Sequence, residues 1–200
     1  MEAYVRFLWE AHIVQIRTDP PWFQWASGIE SPIYVDHRRL LADPLWRRWA
    51  VKALAEKLTT SIPSFRAIVG VATGGIAWAA WLSDYLNLPA GYVRPQPKAH
   101  GLARQVEGLC EPTTVLLVED LISTGQSSHR AAAVLREAGF SVVAIAALWN
   151  YDLPSFSPAE YPIAALLTFP HAVSYWQKFG YLSMGAVDVL HRWYKSLSDA

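Results

Sequence analysis

The stretch that decides the fold runs from Val115 to Arg130 and reads VLLVEDLISTGQSSHR. Four apolar residues lead directly into two adjacent acids, Glu119 and Asp120. A cluster of small hydroxyl residues with one glycine follows, and an amphipathic segment comes after it. A short continuous apolar run is typical of a strand buried on both faces of a parallel sheet. We therefore predict a strand that ends at two carboxylates and a turn that begins a helix.

Strand-like and helix-like segments alternate around this stretch, from residue 66 to residue 169. The short apolar runs are AIVGVA, AGYV, TVLLVED, SVVAIAALW and IAALLTF. Before the first of these runs, Asp43 and Pro44 provide the N-cap and the first residue of a helix that begins there. This alternation indicates an α/β domain with a mainly parallel sheet flanked by helices. The segment 94–108 contains two prolines and two glycines, and it predicts a mobile loop.

Composition limits the classes of protein to which the chain can belong. Its 200 residues suit a single domain, and a hydrophobic content of 52% is enough for a sizeable core. A formal net charge of zero argues against nucleic acid as a partner, and the apolar runs are too short to span a membrane. The single cysteine, Cys110, excludes an intramolecular disulfide, so we expect a cytoplasmic protein. The ten tryptophans are expected to pack in the core and at interfaces.

Two strand ends are suited to bind anions. Ligands of open α/β sheets bind beyond the carboxyl ends of the strands, where free N–H groups at helix N-termini attract anions. One such end is the turn at Thr73 and Gly74, and the other is the hydroxyl cluster from Ser123 to Ser128. Glu119 and Asp120 would repel a phosphate, so they are expected to face ribose hydroxyls or Mg²⁺. The alternative is an ordinary N-capping turn beside two solvated acids.

Other nucleotide-binding patterns are missing from the sequence. Neither the P-loop motif G-x-x-x-x-G-K-[ST] nor the dinucleotide motif G-x-G-x-x-G occurs. The implied ligand is a ribose with a 5′-phosphate and a second anionic group near Thr73 and Gly74, accompanied by Mg²⁺. That combination describes phosphoribosyl diphosphate.

The stretch in which an apolar run ends at two acids and a hydroxyl turn resembles a known family signature. VLLVEDLISTGQS resembles the signature of type I phosphoribosyltransferases, and the resemblance over the chain narrows to the orotate phosphoribosyltransferase family. The other similar segments are SGIESPIYVDHR (substrate segment), GVATGGIAWAA (diphosphate turn), YVRPQPKAHG (catalytic loop) and, loosely, LLTFPHAVSYWQKFGYLS (tail). The resemblance implies one type I phosphoribosyltransferase domain over residues 1–200. Within it, 1–62 would form an N-terminal hood and substrate segment, 63–170 the core sheet and 171–200 a helical tail.

The resemblance also implies an activity. Members of the family are pentosyltransferases that convert orotate and phosphoribosyl diphosphate to orotidine 5′-monophosphate and diphosphate in de novo pyrimidine synthesis. It implies Mg²⁺, bound mainly through the donor substrate rather than by a protein site. It further implies a homodimer in which the loop 94–108 reaches the active site of the neighbouring subunit.

The resemblance assigns roles to particular residues. Lys98, His100 and Asp120 would be catalytic, and Arg94 would join the first two as the cationic set of the loop. Tyr34 would stack on the pyrimidine. The residues that would bind the donor are Thr73 and Gly74 at the diphosphate, Glu119 and Asp120 at the ribose hydroxyls, and Ser123, Thr124, Gly125, Gln126 and Ser127 around the 5′-phosphate.

Two positions depart from the family pattern. Glu30 stands where the family usually has a lysine, and Pro95 stands where its loop usually has a second cation. Both changes remove positive charge near a polyanionic donor, unless Glu30 is neutralised by Arg38 or Arg39. The departures leave two alternatives: a phosphoribosyltransferase for another nucleobase, or a catalytically impaired paralogue that binds nucleotides as a regulator. The region of Trp149 and Asn150 also offers no arginine for the orotate carboxylate.

Overall fold

The chain folds into one six-stranded sheet, a small N-terminal hood and helices on both faces of the sheet. The computed structural model describes residues 1–96, 105–153 and 160–197. Its strands are β1 (Val14–Ile16), β2 (Phe23–Gln24), β3 (Glu30–Ser31), β4 (Ile33–Val35), β5 (Ala67–Val71), β6 (Ala90–Val93), β7 (Val106–Glu107), β8 (Thr114–Ile122), β9 (Ser141–Asn150) and β10 (Ile163–Thr168). Its helices are α1 (Glu2–Glu10), α2 (Pro44–Ser61), α3 (Gly74–Leu86), α4 (Gln126–Glu137), α5 (Phe169–Lys178) and α6 (Met184–Ser196), with a 3₁₀ helix at His37–Ala42.

The central sheet has the strand order β10-β9-β8-β5-β6-β7. Every neighbouring pair is parallel except β6 and β7, which run antiparallel. The carboxyl ends of the five parallel strands therefore lie at the same edge of the sheet. The predicted α/β class with a mainly parallel, helix-flanked sheet is confirmed.

Alternate residues of the strands supply two separate apolar clusters. On β5, Ile68 joins the cluster that contains α2 and α3, whereas Val69 joins the cluster that contains α4. Leu116 and Leu117 on β8 divide in the same way. Since successive side chains of a strand point to opposite faces, the sheet is buried on both sides, as its continuous apolar runs predict.

Helix α2 begins where its sequence signal predicts. The Asp43 carboxylate accepts hydrogen bonds from the backbone N–H groups of Leu45 and Trp46, at 3.0 and 3.1 Å. Pro44 occupies the first helical position, where no N–H group is needed. The predicted N-cap is confirmed, and it fixes where the chain leaves the hood to enter the core.

The hood is attached to the core through tryptophans. Two antiparallel pairs, β1 with β4 and β2 with β3, form the hood together with the 3₁₀ helix. Trp193 of α6 donates a hydrogen bond to the Glu30 carbonyl oxygen at 2.9 Å, and Trp176 of α5 donates to the Val5 carbonyl oxygen at 3.1 Å. Trp78, Trp149 and Trp176 are among the largest fully buried side chains, which confirms the prediction of tryptophans in the core.

Two details of the sequence-based prediction are wrong. The segment 94–108 is not a loop throughout, because Val106 and Glu107 form β7 and pair with Val93 and Tyr92 of β6. Strand β8 does not end at the two acids, because it continues for two more residues to Ile122. Its pairing with β9 extends to the end of that longer strand, so the acids lie inside the ladder.

Candidate active site

Two helix N-termini lie side by side at the carboxyl edge of the sheet. Strands β5 and β8 are neighbours, and the chain passes from β5 through α3 to β6 on one side and from β8 through α4 to β9 on the other. The connections therefore diverge between β5 and β8, which is the switch point where open α/β sheets bind ligands. The first N–H groups of both helices have no acceptor within their helices. This part of the edge is consequently suited to anions.

The turn at Thr73 and Gly74 is pressed against β8. A Cβ atom added at Gly75 would lie 2.1 Å from the carbonyl oxygen of Val118, and one added at Gly74 would lie 2.5 Å from the carboxylate of Asp120. No side chain larger than hydrogen fits at either position without displacing β8 or the acid. The two glycines thus bring the α3 N-terminus next to Asp120, as the sequence-based prediction of close backbone approach requires.

The two adjacent acids of β8 have different surroundings. Glu119 has an exposed fraction of only 5%, and its carboxylate accepts a hydrogen bond from the Ser128 hydroxyl of α4 at 3.3 Å. Asp120 is half-buried and faces the Gly74 turn on the α3 side. This division follows from the alternation of side chains along a strand. Glu119 and Asp120, the two residues predicted to bind the ribose hydroxyls, therefore lie on opposite faces of the sheet at the switch point.

Burial changes the acidity of both carboxyl groups. Desolvation raises the pKa of Glu119 to about 8, with a further contribution from the nearby charge of Asp120. Hydrogen bonds from Ser127 and Ser128 act in the opposite direction. Burial also raises the pKa of Asp120, while backbone hydrogen bonds and the charge of Arg38 lower it. Near neutral pH without ligand, Glu119 therefore holds its proton and can donate as well as accept hydrogen bonds.

The predicted phosphate turn leads directly into α4. Gly125 is the N-cap residue of this helix and adopts a left-handed backbone conformation with φ of 72°. Gln126 and Ser127 form the exposed first turn, where N–H groups lack intrahelical acceptors. Ser123 and Thr124 complete the turn between β8 and the helix. Backbone N–H groups and hydroxyls at a helix N-terminus are the groups to which a phosphate monoester binds.

The hood and the sheet edge enclose a cavity of about 510 Å³. The hood lines it with residues that include Tyr34 and Arg38, and the core lines it with Thr73, Gly74, Asp120 and Ser123. Five residues predicted for the site thus share one cavity, although they come from three distant parts of the sequence. Tyr34 lies 5.6 Å from Phe23, measured between ring centroids.

Comparison with known proteins agrees with this geometry. The family described as "Phosphoribosyl transferase domain" matches residues 46–161. An orotate phosphoribosyltransferase of Lactiplantibacillus plantarum is 38% identical over 185 residues, which cover 90% of this chain and 87% of that protein. One from Listeria monocytogenes is 46% identical over 147 residues, which cover 73% of this chain and 70% of that protein.

The chain belongs to the orotate phosphoribosyltransferase family.

A solved structure agrees with this assignment. The crystal structure of orotate phosphoribosyltransferase from Aeropyrum pernix superimposes with a TM-score of 0.72 at 31% sequence identity. The match covers 90% of this chain and 99% of that chain. The expected type I phosphoribosyltransferase fold is therefore confirmed.

The family's loop cations lie partly outside the described residues. Lys98 and His100, which the resemblance assigns to catalysis, fall in the segment 97–104 that the structure does not describe. Arg94 is described and lines a second cavity of about 150 Å³, together with Ser127 and Arg130. Its guanidinium lies 3.9 Å from the Glu107 carboxylate of β7. Arg94 and Ser127 are thus close together, on the α4 side of the sheet edge.

The two departures from the family pattern lie at the surface. Glu30 is exposed on β3 and pairs in register with Gln24, which lines the large cavity. Directly opposed residues of an antiparallel pair project to the same face, so Glu30 and Gln24 share one face of the hood ribbon. No ion pair joins Glu30 to Arg38 or Arg39, because Arg38 pairs with Asp36 and Arg39 donates to the His12 carbonyl oxygen. Among the described residues, neither Arg38 nor Arg39 therefore neutralises Glu30 by an ion pair.

Sequence reasoning missed part of the hood's contribution to the cavity. Asp36, His37 and Arg38 line it beside Tyr34, and Tyr151 follows β9 on the core side. The Arg38 guanidinium contacts the Asp36 carboxylate at 2.7 Å and the Tyr34 hydroxyl at 3.1 Å. The signal was present in the sequence, because a run of four polar residues follows directly after the strand IYV.

Proposed function

We infer that the protein transfers ribose 5-phosphate from phosphoribosyl diphosphate to orotate, which gives orotidine 5′-monophosphate and diphosphate. The transfer is the step of de novo pyrimidine synthesis that converts the base to a nucleotide. The observation that carries the inference is the shared cavity, in which hood and core residues such as Tyr34, Thr73 and Asp120 face each other. The curated relatives with this domain are named for the same transfer.

The donor is held by groups at the switch point. The turn of Ser123 to Ser127 receives the 5′-phosphate, because it offers N–H groups and hydroxyls at the N-terminus of α4. Asp120 accepts hydrogen bonds from ribose hydroxyls. Glu119 contributes from the opposite face, and hydroxyl donors favour its ionised form. The α3 N-terminus at Thr73 and Gly74 receives the diphosphate.

The transition state of the transfer separates charge. The ribosyl centre becomes cationic while negative charge grows on the departing diphosphate. Cations placed at the diphosphate stabilise this state more than they stabilise the bound donor. We assign that role to Arg94 and to the loop residues Lys98 and His100. Asp120, a short distance away at the ribose, stabilises the cationic side.

We propose that Mg²⁺ accompanies the donor and is not held by a protein site of its own. In residues 1–96, 105–153 and 160–197, no group of three or more histidine, cysteine, aspartate or glutamate side chains could hold a metal ion. Mg²⁺ commonly binds through one or two carboxylates and substrate phosphates, and Asp120 beside the diphosphate turn fits that pattern. When bound, the ion neutralises charge on the diphosphate leaving group.

The inferred reaction is tested by following orotate absorbance. Purified protein, orotate, phosphoribosyl diphosphate and Mg²⁺ are expected to show loss of orotate that requires all four components. The Asp120→Asn variant is the matched control, since it keeps the side-chain volume and removes the charge at the ribose. Orotate absorbance that persists with folded wild-type protein contradicts the inferred reaction.

We further propose a homodimer in which the loop 94–108 completes the neighbouring subunit's site. The proposal is supported by the family resemblance, which assigns this loop to the active site of the neighbouring subunit. Mixing inactive Lys98→Ala and Asp120→Asn proteins is expected to restore part of the activity, because one hybrid site has both residues intact. Failure to recover after confirmed subunit exchange shows that each subunit works alone.

We propose a cytoplasmic location for this reaction. The single cysteine, Cys110, is exposed and free, as suits a reducing compartment. No helix in the described part of the chain is long and apolar enough to cross a membrane. Fractionation of cells that produce the protein at its native level is expected to place it in the cytoplasmic fraction.

A further inference from the structure

We propose that Arg38 binds the carboxylate of the acceptor base and thereby selects orotate over uncharged pyrimidines. The proposal rests on the proposed function, because it concerns the acceptor end of the same cavity. It assigns a specificity role to a hood residue, in a chain that lacks an arginine at the end of β9 where Trp149 and Asn150 lie.

The charges in the cavity require a cation for an anionic acceptor. Among the described residues that line the cavity, Asp36 and Asp120 carry carboxylates, and Arg38 is the only arginine or lysine. His37 cannot supply the missing charge, because burial lowers its pKa to about 3. An orotate carboxylate that enters this space is repelled by two acids unless the Arg38 guanidinium compensates.

The hydrogen bonds of Arg38 leave one side of its guanidinium available. Its Nε donates to the Asp36 carboxylate at 2.7 Å, and its Nη2 donates to the Tyr34 hydroxyl at 3.1 Å. Nη2 carries two N–H groups, and the bond to Tyr34 uses one of them. Neither bond uses Nη1, so Nη1 and Nη2 each keep an N–H group for a ligand. Two parallel N–H groups of this kind match the two oxygens of a carboxylate.

The same contacts hold the guanidinium in place. Asp36, with a side-chain exposure of 24%, anchors one edge, whereas the Arg38 side chain itself has an exposure of 62% and is open to a ligand. Tyr34, which is predicted to stack on the pyrimidine, is the second anchor. A base stacked on Tyr34 therefore lies within reach of the remaining Arg38 N–H groups, and its carboxylate can accept hydrogen bonds from them.

The test compares two nucleotides that differ only in the carboxylate. Orotidine 5′-monophosphate carries it and uridine 5′-monophosphate lacks it, so both share the phosphate and ribose contacts. Calorimetry of the wild-type protein is expected to show tighter binding of the orotidine nucleotide. Arg38→Gln is expected to weaken that binding about 10- to 100-fold, or about 1.4 to 2.8 kcal/mol, with uridine nucleotide affinity changed less than about twofold.

Three results would overturn the proposal. Equal weakening of both nucleotides by Arg38→Gln would place Arg38 at the shared phosphate or ribose. Unchanged affinity of Arg38→Gln for both nucleotides would show that Arg38 does not contact the ligand. Equal affinity of the wild-type protein for both nucleotides would show that the protein does not recognise the carboxylate. These are binding measurements, so failure of orotate turnover is a separate outcome that tests the proposed function.

Two further variants control for effects on folding. Arg39→Gln is the matched control, because the Arg39 guanidinium donates to the His12 carbonyl oxygen at 2.8 Å, and Arg39 does not line the cavity. It is expected to leave the ratio of the two affinities unchanged. Arg38→Lys keeps the charge but loses the paired N–H geometry, so it is expected to retain an intermediate preference. If Arg38→Gln does not fold, a wild-type preference in Arg38→Lys overturns the proposed paired contact.

Discussion

The substitution Glu119→Gln tests the buried acid beneath the switch point. Glutamine has nearly the same volume and can still bond to the Ser128 hydroxyl, but it has no proton to lose. In the folded protein burial raises the pKa of Glu119 from 4.5 to about 8. Between these two values the folded state holds a proton that the unfolded state has released. The free energy of unfolding therefore falls as pH rises through this range, and the loss is complete above about pH 8.

The size of the effect follows from the same two values. At about 1.4 kcal/mol for each pH unit, the difference between 4.5 and about 8 corresponds to at most about 5 kcal/mol. Glu119→Gln lacks this loss, so its stability relative to wild type is expected to increase as pH rises. Other titrating groups, which include Asp120 and the six histidines, are present in both proteins, and to first order their contributions cancel in the comparison.

Urea denaturation followed by tryptophan fluorescence measures this difference without ligand. The expected result is that Glu119→Gln gains at least about 1.4 kcal/mol over wild type between about pH 4.5 and about pH 8. Glu137→Gln, at an exposed position of α4, is the matched control and is expected to give no such trend. Parallel stability curves for wild type and Glu119→Gln would refute the assignment of a protonated, buried acid.

Three further predictions concern the rest of the site. Gly75→Ala places a Cβ 2.1 Å from a β8 carbonyl oxygen, so a loss of at least about 2 kcal/mol is expected in urea unfolding. Combined Glu119→Gln and Asp120→Asn is expected to weaken binding of phosphoribosyl diphosphate at least about tenfold, and unchanged affinity in calorimetry would remove these acids from the donor site. Glu30→Lys and Pro95→Lys are each expected to raise orotate turnover about two- to fivefold, since both add positive charge near the leaving diphosphate. Turnover no better than wild type in both single variants and the double variant would show that these departures do not impair the enzyme.

The fold could be predicted because its signals are local. Continuous apolar runs mark the buried strands, and the Asp43–Pro44 pair marks the start of α2. The turn after β8 could be predicted because a hydroxyl cluster with one glycine follows a buried strand and precedes an amphipathic segment, and two adjacent acids at that strand distinguish it from an ordinary N-capping turn. The strand β7 could not be predicted, because two residues are too few to show the alternation of apolar and polar residues that marks a strand. Only their pairing with β6 makes them a strand.

The hood's part of the site was harder to predict. Tyr34 could be predicted as an aromatic residue in a substrate segment. The positions of Asp36 and Arg38 in the cavity could not, because they depend on contacts that form when the hood folds over the sheet. The different surroundings of Glu119 and Asp120 were also hidden. The two acids are adjacent in the sequence, which suggested one shared role, but successive side chains of a strand point to opposite faces of the sheet.

The central claim is that the cavity joins orotate to the donated ribose 5-phosphate. The most direct test offers the protein phosphoribosyl diphosphate and Mg²⁺ with an equimolar mixture of orotate, uracil, adenine, guanine and hypoxanthine, and identifies the nucleotide product by mass spectrometry. The expected result is orotidine 5′-monophosphate as the single donor-dependent product. A nucleotide of another base, or no nucleotide from protein shown to bind the donor, would contradict the claim.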